Sequence, residues 1–200
     1  MSEYMGGNLA LVALGANLSS WAGPPHRTLT AALAAMPGQG LRVVALSRFW
    51  RTPAHPAGSG PDYVNAAAAV ECGQGPETVL AALHRIEAEF GRVRDGGRWQ
   101  ARGIDLDLLA MGDLVLPDAA TQDSWRGLPP DDQSRLAPDR LILPHPRLQD
   151  RGFVLAPLAE IAPAWVHPRT GRSVASMLAA LGPESLEAMS PLFGETAARA

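Results

Sequence analysis

The sequence predicts an α+β domain in which an antiparallel sheet carries two helices, and two observations favour this class. Short apolar runs typical of strands are separated by two segments whose apolar residues recur every three or four positions, as in helices. Prolines open both helical segments, at Pro24, Pro25 and Pro76, and glycine follows the end of each. The length of 200 residues and the hydrophobic content of 46% are sufficient for one domain with a substantial core.

The predicted elements follow the order strand, helix, strand, strand, helix, strand. Gly15 follows the first strand, and the second helix has Val79, Leu83, Ile86 and Phe90 on one face. We expect strands at residues 8–14, 41–50, 63–71 and 104–111, and helices at residues 24–36 and 76–90. This βαββαβ order is that of the ferredoxin-like arrangement, in which a four-stranded antiparallel sheet has both helices on one face.

The remaining segments are predicted from their composition. Proline and glycine interrupt residues 51–61, which predicts a loop. Residues 117–138 mix Asp, Gln, Ser and Pro without either periodicity, which predicts a long surface loop inserted into the domain, tuning access to the site or contacting a partner. Further helices are predicted at residues 153–161 and 174–181, and poor order from about residue 185. The whole chain, residues 1–200, is predicted to form a single domain.

Composition excludes several classes of protein. The basic residues are all Arg, so neither a P-loop lysine nor Schiff-base chemistry is available. A net charge of −3 lacks the basic excess of nucleic-acid binders, and the sheet face expected to be exposed carries mostly Ala and Val. Cys72 is the only cysteine, which excludes an intrachain disulfide and favours a buried thiol. No apolar run approaches 18 residues and the N-terminus lacks the basic region of a signal peptide, so we expect a cytoplasmic protein.

An acidic pair preceded by arginines is the main candidate for chemistry. Asp105 and Asp107 lie two residues apart in the last predicted strand, so their side chains share a face roughly 6–7 Å apart. Such carboxylates hold Mg²⁺ together with substrate phosphates. Four arginines precede the pair in a glycine-interrupted segment and are able to neutralise phosphate charge: Arg92, Arg94, Arg98 and Arg102. The segment therefore suggests chemistry on a nucleotide polyphosphate.

Seven short motifs occur in order between about Leu11 and Pro168. They are Gly15-Ala16-Asn17-Leu18, Phe49-Trp50-Arg51-Thr52-Pro53, Pro61-Asp62-Tyr63-Val64-Asn65-Ala66, Arg85-Ile86-Glu87, Gly91-Arg92-Val93-Arg94 with Arg102-Gly103-Ile104-Asp105-Leu106-Asp107, Pro144-His145-Pro146-Arg147 and Arg151-Gly152-Phe153-Val154-Leu155. Together they resemble the 6-hydroxymethyl-7,8-dihydropterin pyrophosphokinase family. The resemblance implies transfer of pyrophosphate from ATP to the hydroxymethyl oxygen of the reduced pterin in folate biosynthesis, with AMP leaving. It also implies two Mg²⁺ ions as cofactors, and a monomer that binds ATP and the pterin but neither nucleic acid nor membrane.

The resemblance assigns a role to each matching residue. Asp105 and Asp107 are implied to hold the metal, and Arg92, Arg102 and Asp107 to act in catalysis. The residues implied to contact ATP are Glu87, His84, Arg94, Arg98, Trp99, Ile104, Arg140, His145 and Arg151. The residues implied to form the pterin pocket are Gly15, Thr52, Pro53, Ala54, His55, Tyr63, Asn65 and Phe153. Trp99 is implied to belong to a lid that closes over the site.

Several alternatives stay open at this point. Phe153 and Tyr63 are equally consistent with core positions, and the general base is either Asp107 or a metal-bound hydroxide. The chain departs from the family pattern at Gln100, His55 and Ile142, which affects the lid, the pterin side and the nucleotide side respectively. The competing class is a non-catalytic ferredoxin-like module that binds a ligand or RNA.

Overall fold

The computed structural model describes residues 9–54, 60–91 and 103–193. The strands are β1 (Leu9–Ala16), β2 (Arg42–Leu46), β3 (Trp50–Thr52), β4 (Tyr63–Glu71), β5 (Asp105–Met111) and β6 (Ser190–Pro191). The helices are α1 (Pro25–Ala35), α2 (Pro76–Glu89), α3 (Ala119–Arg126), α4 (Pro130–Arg135), α5 (Gly152–Ile161) and α6 (Val174–Ala179). Within the described ranges, none of these helices has the length and apolar character needed to cross a bilayer.

The strands form one antiparallel sheet in the order β5-β1-β4-β3-β6. β1 lies between β4 and β5 and pairs with both. The other edge of β4 pairs with β2 at its C-terminal half and with β3 at its N-terminal half. The predicted combination of helices with an antiparallel sheet is therefore confirmed.

Strand β4 explains why both faces of the sheet are covered. Val64, Ala66, Ala68 and Val70 belong to the core cluster on the side of α1 and α2. The intervening Ala67 and Ala69 belong to a second cluster, which includes residues of α5 and α6. Because neighbouring strand residues point to opposite faces, the alanine run gives a strand buried on both sides. The prediction that the second face of the sheet is exposed is therefore wrong, because α5 and α6 pack against it.

The predicted strand over residues 41–50 is two strands separated at Ser47. The backbone N–H of Ser47 donates to the Ala67 carbonyl, and the Ser47 hydroxyl accepts from the Ala67 N–H, both at 2.9 Å. A side-chain oxygen thus replaces a backbone carbonyl in the ladder, which interrupts regular pairing between β2 and β3. The Ser47 hydroxyl therefore ends β2 at Leu46, although the run of apolar and aromatic residues continues to Trp50.

The prediction of an irregular loop over residues 117–138 is wrong, because the segment contains α3 and α4. Asp118 is the N-cap of α3, and its carboxylate accepts a 2.9 Å hydrogen bond from the Thr121 N–H. Gln122 is completely buried and donates to the Pro144 carbonyl at 3.1 Å. Asp and Pro, which had argued against a helix, are here residues that begin helices.

The C-terminal part is also more regular than predicted. The two helices expected there are present as α5 and α6. Beyond residue 185, where poor order was expected, Ser190 and Pro191 form β6 and pair with Arg51 and Trp50 of β3. This pairing gives residues 190 and 191 backbone partners that a single sequence does not reveal.

Candidate active site

The strand register brings three residues of the predicted site into one row across the sheet. Gly15 of β1 is opposite Asn65 of β4 on one side and opposite Asp105 of β5 on the other. Asp107 is two residues further along β5, opposite Ala13. The Asn65 amide and the Asp105 carboxylate therefore lie on either side of Gly15, which has no side chain.

Gly15 is required by the close approach of Asn65. A Cβ atom at position 15 would lie only 2.9 Å from the Asn65 Oδ1 atom. Asn65 is buried, and its Nδ2 donates a 2.6 Å hydrogen bond to the Thr52 hydroxyl. This bond fixes the amide so that Oδ1 faces Gly15, leaving an acceptor on the cavity side of the sheet.

The acidic pair is held at the beginning of β5. Asp105 and Asp107 are both partly exposed, and Leu106 between them is buried in the core below. The Leu106 N–H donates a 2.8 Å hydrogen bond to the buried Glu87 carboxylate on α2. Among the described residues, no group of three or more His, Cys, Asp or Glu side chains is arranged to hold a metal. Two carboxylates fit Mg²⁺, which commonly takes its remaining ligands from phosphates and water.

Arg151 joins the acidic pair to an aromatic wall. Its guanidinium nitrogen Nη1 lies 3.7 Å from the Asp107 Oδ2 atom, and its Cζ lies 5.6 Å from the centre of the Phe153 ring. Phe153 is 41% exposed at the first turn of α5, so the ring is not a core residue. The Arg151 guanidinium therefore lies between the Asp107 carboxylate and the Phe153 ring.

His145 lies beside the same charges as a neutral side chain. Its backbone N–H donates to the Leu109 carbonyl at 2.7 Å, which attaches this segment to β5. Burial, together with the positive charges of Arg151 and Arg147, lowers the pKa of His145 from 6.5 to about 3, against the opposing effect of Asp105. The Nδ1 atom accepts from the Arg147 N–H at 3.1 Å, so the proton of the neutral ring is on Nε2.

These side chains open into one cavity of about 1000 Å³. It brings together eleven of the residues predicted for the site. They are Gly15, Thr52, Pro53, Tyr63, Asn65, Asp105, Asp107, Arg140, His145, Arg151 and Phe153. A volume of this size is sufficient for a nucleotide and a bicyclic ligand side by side.

Other predicted residues are not in the cavity wall. Ile104 and Ala54 are buried, Glu87 is buried behind β5, and His84 is partly exposed on α2. Glu87 instead accepts a hydrogen bond from the Leu106 N–H, which holds the strand that carries Asp105 and Asp107. The predictions for Arg92, Arg94, Arg98, Trp99, Arg102 and His55 lie outside the described residues.

The cavity is also lined by residues for which the sequence predicts no role in the site. Leu108 and Arg147 line it, as do Trp125, Gln133 and Leu136 from the segment containing α3 and α4. Leu108 follows Asp107 directly, but nothing in a single sequence separates it from the other leucines of β5. The position of the inserted segment depends on contacts with distant residues, which periodicity does not detect.

Fold and cavity together define a mixed helix and sheet protein in which a pair of carboxylates and several arginines line one cavity with the rings of Tyr63 and Phe153. A family model described as 7,8-dihydro-6-hydroxymethylpterin-pyrophosphokinase (HPPK) matches residues 11–163. The chain belongs to this family.

Relatives cover most of the chain. It is similar to the 2-amino-4-hydroxy-6-hydroxymethyldihydropteridine pyrophosphokinase of Pseudomonas aeruginosa, with 38% identity over 88% of this chain and 93% of the relative. It is similar to the protein of the same name from Synechocystis sp., with 35% identity over 84% of this chain and 74% of the relative.

Solved structures show the same fold at low sequence identity. The wild-type HPPK-DHPS of Plasmodium falciparum matches with a TM-score of 0.57 and 14% identity, over 86% of this chain and 44% of the longer one. An HPPK-DHPS in complex with substrates matches with a TM-score of 0.59 and 12% identity, over 86% and 43%. This chain therefore spans less than half of those longer chains.

Proposed function

We propose that the protein transfers pyrophosphate from ATP to the hydroxymethyl oxygen of 6-hydroxymethyl-7,8-dihydropterin, releasing AMP, in folate biosynthesis. The observation that carries the proposal is the row across the sheet, in which Gly15 separates Asn65 from Asp105. An amide suited to a heterocycle and a carboxylate suited to a cation thus face one cavity from adjacent positions. The names of the similar proteins agree with this chemistry.

The pterin is proposed to lie between Tyr63, Asn65 and Phe153. Asn65 offers an acceptor to the amino and N–H groups of the pterin ring, while Phe153 and Tyr63 provide flat apolar walls. Thr52 orients Asn65 through the 2.6 Å hydrogen bond, and Pro53 continues the wall. The hydroxymethyl group of a pterin held there is directed along the row towards Asp105.

Asp105 and Asp107 are proposed to hold two Mg²⁺ ions together with the triphosphate. When bound, such ions neutralise phosphate charge and help to align the attacking and leaving oxygens. The protein contributes the two carboxylates on a strand fixed by Glu87, which keeps them on the cavity face.

Arginines are proposed to stabilise the remaining phosphate charge. Arg140 and Arg151 line the cavity, and the neutral His145 has its Nε2–H available as a donor. Arg92 and Arg102, outside the described residues, are proposed as catalytic on the family resemblance, with Arg94, Arg98 and Trp99 contacting ATP. Catalysis then consists mainly of positioning for in-line attack and of electrostatic stabilisation.

The proposal also includes the topology of the core, the oligomeric state and the location of the protein. The strand order, with β1 between β4 and β5, supports a ferredoxin-like core extended by α5 and α6. A monomer and a cytoplasmic location are predictions from the sequence.

The proposal is tested by measuring AMP formation with ATP, Mg²⁺ and the hydroxymethyl pterin, each omitted in turn. We expect AMP only when all three are present, with one pterin diphosphate formed per AMP. The matched control is pterin lacking the hydroxymethyl group, which supplies no attacking oxygen. Binding of either substrate without AMP formation would instead support the non-catalytic module.

A further inference from the structure

The C-terminal segment, residues 183–191, is attached to the rest of the fold at two places beside the cavity. Near its beginning, the backbone of Ser185 packs against Gly152, where a Cβ atom would lie only 2.7 Å from the Ser185 carbonyl oxygen. At its end, β6 pairs with β3, and Ser190 is opposite Arg51. The segment therefore crosses from the start of α5 to β3.

Each attachment lies next to a residue of the proposed pterin pocket. Gly152 precedes Phe153 in α5, and Arg51 precedes Thr52 in β3. Antiparallel partners advance in opposite directions along the two strands, so the residue before β6, Met189, comes next to Thr52. The chain between the two attachments therefore passes between the Phe153 side and the Thr52 side of the pocket.

This part of the segment belongs to the cavity wall. Ser185, Ala188 and Met189 all line the cavity, and Met189 is partly exposed. The Met189 N–H donates a 2.9 Å hydrogen bond to the Leu186 carbonyl, which holds the turn immediately before β6. Of the three lining residues, only Met189 has a large apolar side chain. A thioether is polarisable and unbranched, so it packs well against the edge or face of a flat ring.

We propose that Met189 contacts the ring of the pterin, and that the C-terminal segment forms a third wall of the pterin pocket. The inference rests on the proposed function in taking the reduced pterin as the acceptor. Asn65 supplies the polar contact of this pocket and Phe153 an aromatic one, and Met189 adds apolar surface next to Thr52. The proposed metal ligands lie on β5, so a change at Met189 should affect the pterin and not the nucleotide.

The first test is equilibrium titration of the hydroxymethyl pterin, with Mg²⁺ and α,β-methylene ATP present so that the nucleotide site is filled and no transfer occurs. We expect Met189→Ala to weaken pterin binding about tenfold, because truncation removes apolar surface from the contact. Met189→Leu keeps the apolar volume and should bind the pterin within about twofold of the unmodified protein. The affinity for α,β-methylene ATP and the thermal midpoint should be unchanged in both variants.

Phe193→Ala is the matched control for this titration. Phe193 is an apolar residue two positions after β6, is 63% exposed and lies outside the cavity wall. Its truncation should leave pterin affinity unchanged, which separates contact at Met189 from a general effect of removing apolar surface near β6.

The second test measures proximity directly, by alkylation of Met189→Cys with iodoacetamide. Cys72 is the only cysteine of the chain and is 5% exposed, and burial raises the pKa of its thiol, so labelling reports on position 189. With Mg²⁺ and α,β-methylene ATP present throughout, saturating pterin should slow the labelling at least about fivefold. The nucleotide analogue added alone should not slow it.

Unchanged pterin affinity in Met189→Ala would overturn the inference, as would an equal loss of affinity for the nucleotide analogue or labelling that the pterin does not slow. Failure of the proposed function is distinguishable, because it would appear as absent AMP formation in the unmodified protein, whereas the titrations and the labelling report on binding alone.

Discussion

Asn65 donates a 2.6 Å hydrogen bond to Thr52, and this bond turns the Asn65 Oδ1 atom towards Gly15. The site therefore depends on a position where any side chain would displace the Asn65 amide, which is proposed to contact the pterin. Because Gly15 is also opposite Asp105 of the neighbouring strand, the same position separates the proposed pterin pocket from the proposed metal site.

Gly15→Ala is expected to raise the KM for the pterin about tenfold and to leave the KM for ATP unchanged. The added Cβ would lie 2.9 Å from the Asn65 Oδ1 atom, so the amide must rotate and lose its bond to Thr52. Steady-state kinetics with each substrate varied in turn measures both constants. Gly73→Ala is the control, because its Cβ would meet no atom within 4 Å. An unchanged pterin KM would show that Asn65 does not contact the pterin.

Asp105→Ala and Asp107→Ala are each expected to reduce transfer by at least about a thousandfold, because each would remove a ligand of the proposed cation, which would stabilise the transition state by several kcal/mol. The thermal midpoint should change by no more than about 2–4 °C, since relief of the repulsion between the neighbouring carboxylates offsets loss of the partly exposed Asp107–Arg151 ion pair. Asp113→Ala, in the exposed turn after β5, is the control. Turnover retained in both site variants would remove the metal assignment.

Arg102→Ala is expected to lower the chemical rate far more than it lowers ATP affinity. The family resemblance places this residue on a lid, and a lid arginine contacts phosphate mainly after closure. Single-turnover kinetics compared with ATP titration separates the two effects. Arg85→Ala, on the exposed side of α2, should change neither. A loss confined to ATP affinity would contradict the catalytic role.

Asp123→Ala is expected to lower the thermal midpoint by no more than about 2–4 °C, because it breaks a partly exposed ion pair with Arg169. Deleting residues 119–137 should lower it further, since this also removes the buried Gln122 and its bond to the Pro144 carbonyl. Differential scanning calorimetry measures both changes, with Asp131→Ala on the exposed side of α4 as the control. A thermal midpoint unaffected by the deletion would show that residues 119–137 form a surface segment that does not stabilise the fold.

His167 is expected to make the protein less stable in mild acid. Burial, with a contribution from the charge of Arg126, lowers the pKa of His167 from 6.5 to about 4. Between these values the unfolded chain binds a proton that the folded chain does not, so the free energy of unfolding falls as the pH decreases through this range, by about 1–3 kcal/mol at its lower end.

The measurement is the thermal midpoint of the unmodified protein and of His167→Asn between pH 4 and pH 7. The Asn oxygen is able to replace Nδ1 as acceptor for the Arg169 N–H. The variant should show a shallower decline with acid, with the remaining slope including the contribution of His145. Identical slopes would show that His167 is not the titrating group.

The sequence alone determined the elements whose signals are local. The apolar run closed by glycines predicts β4 over residues 63–71, and the spacing of Val79, Leu83 and Ile86 predicts α2. The two-residue spacing of Asp105 and Asp107 also predicts a shared face, because side chains alternate along any strand. These features depend on backbone geometry within a few residues, which a single chain displays directly.

Tertiary structure decided the features that depend on distant partners. Gln122 and Asp123 look like surface residues in the sequence, but they attach α3 because the Pro144 carbonyl and Arg169 lie opposite them. The alanines of β4 indicate a strand, yet only the packing of α5 shows that its second face is buried. Register between strands sets Asn65 and Asp105 on either side of Gly15. Such contacts join residues far apart in the chain, and the free energy that selects them comes from burial and pairing in the whole fold.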